Sequence, residues 1–476
     1  MLRSSVAKLL WALLLALALV AGACGNDDPK TAESPLAAVP TAEPTPASTQ
    51  APAPEDPPQP EPTAEPTPEA APDDAEAPAP EIAPEPTPPA EPTPEATLAA
   101  EPEAHPSGLD VAAIEAAAAD WMEAARIPGL VLAVARGDDE PWTFGWGVSD
   151  LATEEPMTPN AFVRIGSVTK PVTTVAVLSM VDDGLLDLDV PVTAYLGDDW
   201  YGTYVYGPDI TLRHLMGHTT GFVEYAFDPG FFILGSARLS VPIAPEEIVR
   251  FTTTYGPVAE FETEYHYSTA GHVIAGTIIE AVTGNPAHVE IRSRVLDPLG
   301  LENTYLPPGE LPPEPVVNSY SGGLLYTAFT SLTNAPDEAL HVFKGNDYLA
   351  TNSYPQEFLQ TAGWTGGGIE AQIGDVPKLF RGLFTGGLLS EDSLAEMTAS
   401  GVNPGYGLGV GIDDIDGRLA YSHGGGTPAF RTRALYIPEL DLALAANANV
   451  LPPDPDIQEL VDVLLPIVIQ SWGLNS

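Results

Sequence analysis

Two side chains suited to nucleophilic and acid–base chemistry lie three residues apart in the segment RIGSVTKPVT, residues 164–173. From residue 108 to the end the chain contains three lysines, and one of them, Lys170, follows Ser167 by three positions. In a helix that begins near Ser167, both side chains share one face of the first turn. A serine hydroxyl is a weak nucleophile until a neighbouring group accepts its proton. An amine whose pKa is lowered by burial and by a helix N-terminus can be that acceptor.

Ser-x-x-Lys alone is a weak signal, because a lysine at a helix start often extends its ammonium group to solvent. Two further segments carry suitable groups. EYHYSTAGHVIAGTIIE places Tyr267 just before a predicted helix, and a phenol near a lysine can share a proton with it. YSHGGGTPAF places His423 on a strand that continues into three glycines, where backbone N–H groups could bind a developing oxyanion. Taken separately, Tyr267 could be an aromatic packed at a helix start, and the glycines a turn at a strand end.

The helix that must position Ser167 and Lys170 is predicted by SVTKPVTTVAVLSMVDDG. It begins near Ser167, tolerates Pro171 in its first turns and ends before Gly184. Its sequence is apolar almost all round, which predicts burial in the middle of a domain. Its N-terminus therefore brings free N–H groups and a positive dipole end into a partly enclosed place.

The other predicted elements place strands at both ends of the domain and helices in the middle. The predicted helices are 110–125, 273–284 and 457–472. The predicted strands are GLVLAVARG, PWTFGWGVSD, YGLGVGI, GRLAYSHGGG, RALYIP and LALAANAN. One sheet built from both ends of the chain predicts an α/β (α+β) fold. We expect an antiparallel sheet flanked by helices, an all-α lobe, and a cleft between the sheet and the lobe.

Residues 1–24 have the composition of an export signal: Arg3 and Lys8, an apolar run and then small residues. The apolar run is short for a membrane span, and the alternative is an uncleaved anchor helix. Cys24 is the single cysteine of the chain, which excludes an intrachain disulfide. The segment resembles a bacterial lipoprotein signal, in which this cysteine receives lipid. We therefore expect a lipoprotein-type signal peptide and an extracytoplasmic protein anchored to the membrane through lipidated Cys24.

Residues 25–107 have the composition of a disordered linker rich in Pro, Glu, Ala and Thr. The chain's 52 prolines include 24 between residues 29 and 107, and 25–107 contains 18 acidic residues against one lysine. Such a segment cannot bury enough apolar surface to fold. Extended at about 3.1 Å per residue, it could reach roughly 250 Å. We interpret it as a tether that carries the folded domain, residues 108–476. That domain has a net charge of −33, which argues against nucleic-acid binding.

Together the three segments resemble the serine β-lactamase and penicillin-binding protein superfamily. The closest likeness is to its class C β-lactamase, D-alanyl-D-alanine carboxypeptidase and esterase branch. Its motifs occur in the order Ser-x-x-Lys, Tyr-x-Asn, and Lys or His-x-Gly on a strand. Flanking segments such as IPGLVLAVARGD, ITLRHLMGHTTGF and LDPLGLENTYL are similar too, so the resemblance runs from about residue 110 to 450. It implies a β-lactamase/transpeptidase-like fold and hydrolysis through an acyl-enzyme.

Carried over to this sequence, the resemblance implies that Ser167 is the nucleophile and that Lys170 assists in removing its proton. Tyr267 would be the base that also protonates the leaving group, and which of the two is the main base stays open. The expected activity is that of a D-alanyl-D-alanine carboxypeptidase-like enzyme or an esterase, acting on a small molecule or a peptidoglycan peptide. A β-lactamase is the alternative enzyme. A catalytically inactive binding or regulatory homologue at the cell surface is the alternative of another class.

The same resemblance assigns oxyanion and substrate binding to His423, Gly425, Gly426 and Thr269, with the N–H groups of Ser167 and Gly426 as the oxyanion hole. Thr269 departs from the family motif, which has asparagine there. Threonine offers a shorter hydroxyl instead of an amide donor and acceptor. We therefore expect a hydrogen bond to the substrate or to Lys170 to be missing or to pass through water. Efficient β-lactam hydrolysis is then less expected than hydrolysis of esters and unusual amides.

Nothing in the sequence calls for a cofactor. His214 and His218 have a spacing that could ligate zinc, but no cysteine or clear third ligand accompanies them, so no metal is predicted. Arg431 and Arg433 could meet a substrate carboxylate, although arginines on a strand edge are commonly solvated. A group of aromatic residues could line the pocket mouth or belong to the core. These are Phe222, Tyr225, Phe227, Phe231 and Phe232.

Overall fold

The computed structural model describes residues 108–236, 238–323, 326–327, 330, 335, 337–385 and 387–474. The predicted signal peptide 1–24, the lipidation site Cys24 and the linker 25–107 lie outside the described residues. None of the helices in the described ranges has both the length and the apolar composition that crossing a membrane requires.

Helices and strands alternate unevenly along the chain. The α-helices are α1 Val111–Ala125, α2 Thr169–Asp182, α3 Thr193–Leu196, α4 Leu212–Met216, α5 Pro229–Ser236, α6 Pro245–Thr254, α7 Ala270–Thr283, α8 Ala287–Ile291, α9 Glu357–Gly367, α10 Asp375–Phe384, α11 Glu391–Thr398 and α12 Ile457–Ser471. The strands are β1 Gly129–Arg136, β2 Trp142–Asp150, β3 Glu155–Pro156, β4 Phe162–Arg164, β5 Thr304–Tyr305, β6 Tyr320–Gly322, β7 Leu340–Phe343, β8 Asn346–Ala350, β9 Glu370–Gln372, β10 Gly411–Ile415, β11 Arg418–Gly426, β12 Arg431–Ile437, β13 Leu442–Ala448 and β14 Val450–Leu451.

The main sheet joins the two ends of the domain, as predicted. It has seven antiparallel strands in the order β10-β11-β12-β13-β1-β2-β3. At its centre, β1 pairs with β13 over the register from Leu130 opposite Ala448 to Arg136 opposite Leu442. Seven of the eight β1 residues are buried, because both faces of this strand are covered.

Alternate residues of the central strands supply two separate apolar clusters, as the two-residue period of a strand requires. On one face, Leu130 and Leu132 pack with buried residues of α1 and α12, among them Trp121 and Leu464. On the other face, Val131 and Ala133 join the larger cluster that includes buried residues of α2, α7 and α10. The antiparallel sheet is therefore flanked by helices, which confirms the predicted fold class.

The helix α2 contributes buried residues to the larger cluster. This confirms the burial that its all-round apolar sequence predicts. Lys170 and the seven residues from Val172 to Leu178 have no exposed surface, and Pro171 is buried as well. After it, the chain turns at Gly184, whose φ of +72° suits glycine. The helix α7 also ends as predicted, at Gly284 in the left-handed conformation.

Two parts of the chain differ from prediction. YGLGVGI was predicted as a strand, but the strand β10 begins only at Gly411. Instead, the N–H groups of Leu408 and Gly409 bond to the carbonyl oxygens of Met397 and Met216. Gly409 has φ +68°, which ends any regular strand before β10. Two small sheets beside the main sheet were not predicted: β4-β9-β5, and β14-β6-β8-β7. Their strands are only two to five residues long, so they carry little alternation to recognise.

Candidate active site

Ser167 lies in a one-turn 3-10 helix, Gly166–Val168, directly before α2. Gly166 has φ +56°, and a Cβ atom there would lie 2.7 Å from the amide nitrogen of Gly426, so this close approach requires glycine. The Thr169 hydroxyl donates to the Gly166 carbonyl oxygen at 2.7 Å and accepts from the Ile369 N–H at 3.1 Å. These contacts fix the turn that presents Ser167.

Lys170 lies in the first turn of α2 and is fully buried, so its ammonium group does not reach solvent. Its Nζ atom contacts three oxygen atoms: Ser167 Oγ at 3.0 Å, Thr269 Oγ1 at 3.2 Å and the Gly366 carbonyl oxygen at 2.7 Å. A buried ammonium group is costly unless each N–H finds an acceptor, and three oxygens match its three N–H groups. The sequence prediction that Thr269 could reach Lys170 only through water, or not at all, is wrong.

Tyr267 precedes α7 and lies beside Lys170. The Nζ atom of Lys170 is 4.8 Å from the centroid of the phenol ring, within the range of a cation–π contact. The ring of His218 packs against the same phenol ring, with centroids 4.4 Å apart. The structure thus brings together Ser167, Lys170 and Tyr267, although a hundred residues separate the tyrosine from the serine in sequence.

The glycine-rich end of β11 lies against the turn that carries Ser167. A Cβ atom on Gly425 would lie 1.9 Å from the carbonyl oxygen of Ile165, and Gly426 meets Gly166 as described above. Ser167 and Gly426 line the same pocket. The first N–H groups of a helix have no acceptor within it. The backbone of these two residues is therefore placed where N–H groups could bind a developing oxyanion.

His423 is buried and bonds to Tyr406 rather than lining the pocket. Its Nδ1 is 2.6 Å from the Gly424 carbonyl oxygen, which only accepts, so Nδ1 carries the proton and Nε2 accepts. Tyr406 donates to this Nε2 at 2.9 Å. The Tyr406 oxygen accepts from Nε2 of His218 at 3.3 Å, and the Nδ1 of His218 accepts from the Ser268 N–H at 3.3 Å. We call His218, Tyr406 and His423 the histidine chain, because it links the backbone beside Tyr267 to β11.

The histidines around Lys170 are held neutral. Burial lowers the pKa of His423 to about 3, and the charge of Lys170 acts in the same direction. Burial and then the charge of Lys170 also place the pKa of His218 well below its usual value. The pKa of His272 is lowered by burial, by His218 and by Lys170. The hydrogen-bond directions in the histidine chain require both of its imidazole rings to be neutral.

A pocket of about 110 Å³ opens beside Ser167. Its lining residues are mainly apolar or glycine, and those with side chains include Tyr225, Phe231, Leu239 and Phe358. Two of the aromatic residues singled out in the sequence therefore line the pocket. Phe222 is fully buried in the core, whereas the side chains of Phe227 and Phe232 lie outside the described part of the structure.

A sequence model described as Beta-lactamase matches residues 114–465, nearly all of the folded part. The chain belongs to the beta-lactamase family. Members of this family are serine hydrolases, which include esterases, amidases and peptidases.

The similar proteins include a penicillin-binding protein, an esterase and an amidohydrolase. The chain is 26% identical to penicillin-binding protein 4* of Bacillus subtilis over 212 residues, 44% of each protein. It is 29% identical to esterase EstB of Burkholderia gladioli over 189 residues, 37% of this chain and 47% of the esterase. The solved structure of a D-stereospecific amidohydrolase from Streptomyces sp. superposes with a TM-score of 0.60 at 28% identity, over 73% of this chain and 97% of that one. The chain spans a third to a half of the length of the curated relatives it matches first.

The sequence did not reveal two residues of this beta-lactamase family site, Glu224 and Tyr406. Glu224 accepts the Thr269 N–H at 2.6 Å. Burial raises the pKa of its carboxyl group, and the charge of Lys170 together with N–H donors opposes that rise. Its one signal in the sequence is an acid within the apolar run GFVEYAF. Tyr406 is marked only by its flanking glycines.

Other predicted residues have structural partners. The Nδ1 of His214 lies 3.1 Å from the Thr211 N–H at the start of α4, and His218 belongs to the histidine chain. Arg431 pairs with Asp456 at 2.9 Å, and Arg433 with Asp413 at 2.6 Å. Both arginines are buried rather than solvated. Neither lines the pocket.

Proposed function

We propose that this protein is an extracytoplasmic serine hydrolase that cleaves uncharged esters or amides of apolar acyl groups through an acyl-enzyme on Ser167. The observation that carries the proposal is the 3.0 Å contact between Ser167 Oγ and the Nζ of the fully buried Lys170, beside an apolar pocket. The lipoprotein-type signal and Cys24 support the location outside the cytoplasm, on a membrane tether.

In the proposed reaction, Lys170 accepts the proton of Ser167 while Oγ attacks the substrate carbonyl carbon. The resulting oxyanion accepts hydrogen bonds from the N–H groups of Ser167 and Gly426. Tyr267 donates a proton to the leaving oxygen or nitrogen, the bond to the leaving group breaks, and Lys170 returns a proton to Tyr267. Water then attacks the ester on Ser167, and its proton passes to Lys170 or Tyr267. The bond between the acyl carbon and Ser167 Oγ breaks, Oγ takes that proton back, and the acid is released.

The proposed substrate class follows from the pocket and from the arginines. The pocket lining contains no lysine or arginine among the described residues. Arg431 and Arg433 already pair with Asp456 and Asp413. An apolar acyl group fits this lining better than a charged one. The similarity to an esterase and to a D-stereospecific amidohydrolase supports the same class.

A D-alanyl-D-alanine carboxypeptidase-like activity is the second candidate, supported by the similarity to penicillin-binding protein 4*. Its substrate ends in a free carboxylate, for which a cationic group is the usual partner. The two arginines considered for that role are occupied by carboxylates of the chain itself. We therefore place this activity after ester and amide hydrolysis.

Labelling with a fluorophosphonate tests the acyl-enzyme proposal. We expect covalent labelling of the protein that disappears in Ser167→Ala, and acylation at least about a hundredfold slower in Lys170→Ala. A folded protein that binds ligands but takes no label would instead be the non-catalytic homologue. Near-normal acylation in Lys170→Ala would remove that residue from the mechanism.

A substrate panel then distinguishes the candidate activities. It contains a nitrophenyl ester of an apolar acid, an amide of an apolar D-amino acid, a peptide ending in D-alanyl-D-alanine and a chromogenic cephalosporin. We expect turnover of the first two. Release of D-alanine as the fastest reaction would favour the carboxypeptidase, and fastest opening of the cephalosporin would favour a β-lactamase.

A further inference from the structure

Tyr267 lies in an irregular segment of the described structure, residues 265–268, which belongs to no helix or strand. The hydrogen bonds of the neighbouring N–H groups therefore show what holds this backbone in place. The N–H of His266 donates to the carbonyl oxygen of His218 at 2.8 Å. The N–H of Ser268 donates to Nδ1 of the same histidine at 3.3 Å. One residue thus holds the chain on both sides of Tyr267.

His218 also contacts the side chain of Tyr267. The centroids of the two rings are 4.4 Å apart, and the ring planes are tilted by 39°. Nζ of Lys170 lies 4.8 Å from the centroid of the same phenol ring. A side chain held both by packing and through its backbone keeps its position relative to the groups with which it reacts. His218 therefore helps to fix the phenol relative to Lys170.

The conformation of His218 suits this double role. Its φ is +57°, in the left-handed region where histidine occurs more often than most residues. The imidazole ring is held at its other nitrogen, because Nε2 lies 3.3 Å from the Tyr406 oxygen. Nδ1 must carry no proton in order to accept the Ser268 N–H. Burial, and then the charge of Lys170, keep the pKa of His218 well below its usual value, so the ring stays neutral.

We propose that His218 is a positioning residue that acts through Tyr267 and holds the phenol where it can protonate the leaving group. This inference rests on the proposed function, in which Tyr267 donates that proton. In this step the O–H bond of Tyr267 breaks and its proton passes to the leaving oxygen. The bond between that oxygen and the acyl carbon breaks at the same time. The phenolate that remains takes a proton from Lys170.

Two esters of one apolar acid, an ethyl ester and a nitrophenyl ester, separate this role from a general structural one. Ethoxide is a strong base and leaves only with a proton, whereas nitrophenolate is a weak base and leaves as the anion. Both esters form the same acyl-enzyme, so their kcat/KM values differ only through acylation. A displaced phenol therefore slows the ethyl ester selectively. Partial unfolding or a distorted oxyanion hole slows both esters.

The decisive variant is His218→Gln, whose amide lies near the place of Nε2 and leaves no acceptor at the place of Nδ1. We expect kcat/KM for the ethyl ester to fall about ten- to a hundredfold. For the nitrophenyl ester we expect a fall of less than about threefold.

Two further variants are the controls. His218→Asn places an oxygen near the position of Nδ1 and tolerates the positive φ, so it should retain more activity on the ethyl ester than His218→Gln. His214→Gln is the matched control, because the Nδ1 of His214 also lies near a backbone N–H, that of Thr211 at 3.1 Å. It should leave the ratio of the two kcat/KM values unchanged.

A double variant tests whether His218 acts through Tyr267. Tyr267→Phe removes the phenol proton, so adding His218→Gln to it should not change the ratio of the two kcat/KM values any further. A further change in the double variant would overturn the inference. An equal fall for both esters in His218→Gln alone would also overturn it.

Tyr406→Phe keeps the test valid if His218→Gln folds poorly, because it removes only the partner of Nε2. We expect a selective fall for the ethyl ester of about three- to tenfold, and an unchanged ratio would overturn the inference. A wild type that takes no fluorophosphonate label would instead refute the proposed function. Tyr267→Phe with the wild-type ratio would refute the proposed role of Tyr267, and with it this inference. Both of these failures appear without any change at His218, so they are distinguishable from a failure of the inference alone.

Discussion

Replacing Gly425 by alanine should damage the site far more than replacing its neighbour Gly424, although both glycines lie on β11. A Cβ atom at Gly425 would lie 1.9 Å from the Ile165 carbonyl oxygen and 3.0 Å from its carbonyl carbon. A Cβ atom at Gly424 would meet nothing closer than Nη1 of Arg431 at 3.6 Å, an ordinary contact. Consecutive residues of a strand point to opposite faces, which is why the two positions differ.

The size of the effect follows from the overlap at Gly425. Real Cβ atoms essentially never approach another heavy atom within 3.0 Å, so β11 and the backbone of Ile165 must separate by about 1 Å. Overpacking of this kind typically costs about 1–3 kcal/mol of unfolding free energy. The separation also moves Gly426 away from Ser167, and in the proposed mechanism these residues form the oxyanion hole. A displacement of about 1 Å in such a site can lower the rate on the order of a hundredfold.

Two measurements check this prediction: kcat/KM with a nitrophenyl ester, and the free energy of unfolding from urea denaturation. Gly425→Ala should lose both activity and stability, whereas Gly424→Ala should stay close to the wild type in both. Equal effects of the two substitutions would refute the reasoning. Loss of stability in Gly425→Ala with normal kcat/KM would show that this strand does not position the reacting groups.

Three further predictions concern the buried histidines, the histidine chain and the membrane anchor. Because the pKa values of His423, His218 and His272 are lowered on folding, the unfolded chain binds protons below about pH 6.5 that the folded chain does not. The free energy of unfolding should therefore fall on acidification, by up to about 1.4 kcal/mol per pH unit for each histidine. Urea denaturation at pH 7 and at pH 5 measures this free energy, and a higher value at pH 5 would contradict the prediction. Tyr406→Phe should lower the free energy of unfolding by about 1–3 kcal/mol in the same assay, because it leaves one buried ring nitrogen of His218 and one of His423 without a partner. An unchanged free energy would show that the histidine chain has reorganised. Cys24→Ser should move the protein from the detergent phase to the aqueous phase in a phase partition, and an unchanged distribution would argue against lipidation.

Several elements could be predicted because their cause is local. The Ser167–Lys170 spacing predicts one face of a helical turn, and the structure places the two side chains in contact. An all-round apolar helix has to be buried, as α2 is. In the strands near both ends of the domain, apolar residues either alternate with other residues or form a continuous run. These patterns were enough to predict one sheet.

The strand prediction was wrong over residues 406–410 for an equally physical reason. Alternating glycine and apolar residues look like a strand, but glycine also permits the positive φ of Gly409 and the close contact of Gly407 with Met397. This part of the chain bonds to helix ends rather than to β11. As a result Tyr406 reaches both His218 and His423, which no local pattern indicates.

By itself, the sequence determined which residue types could react, the helix that carries two of them, the antiparallel sheet and the family resemblance. Only the tertiary structure decided that the Gly366 carbonyl, 196 positions from Lys170, accepts from its ammonium group. The tertiary structure likewise decided that the carboxylate of Glu224 accepts the N–H of Thr269, 45 positions away in sequence. Helical and strand periodicity arise from neighbouring residues and can be recognised in a short window. A hydrogen bond between distant segments forms only after the intervening chain has packed, so its partners leave no period in the sequence.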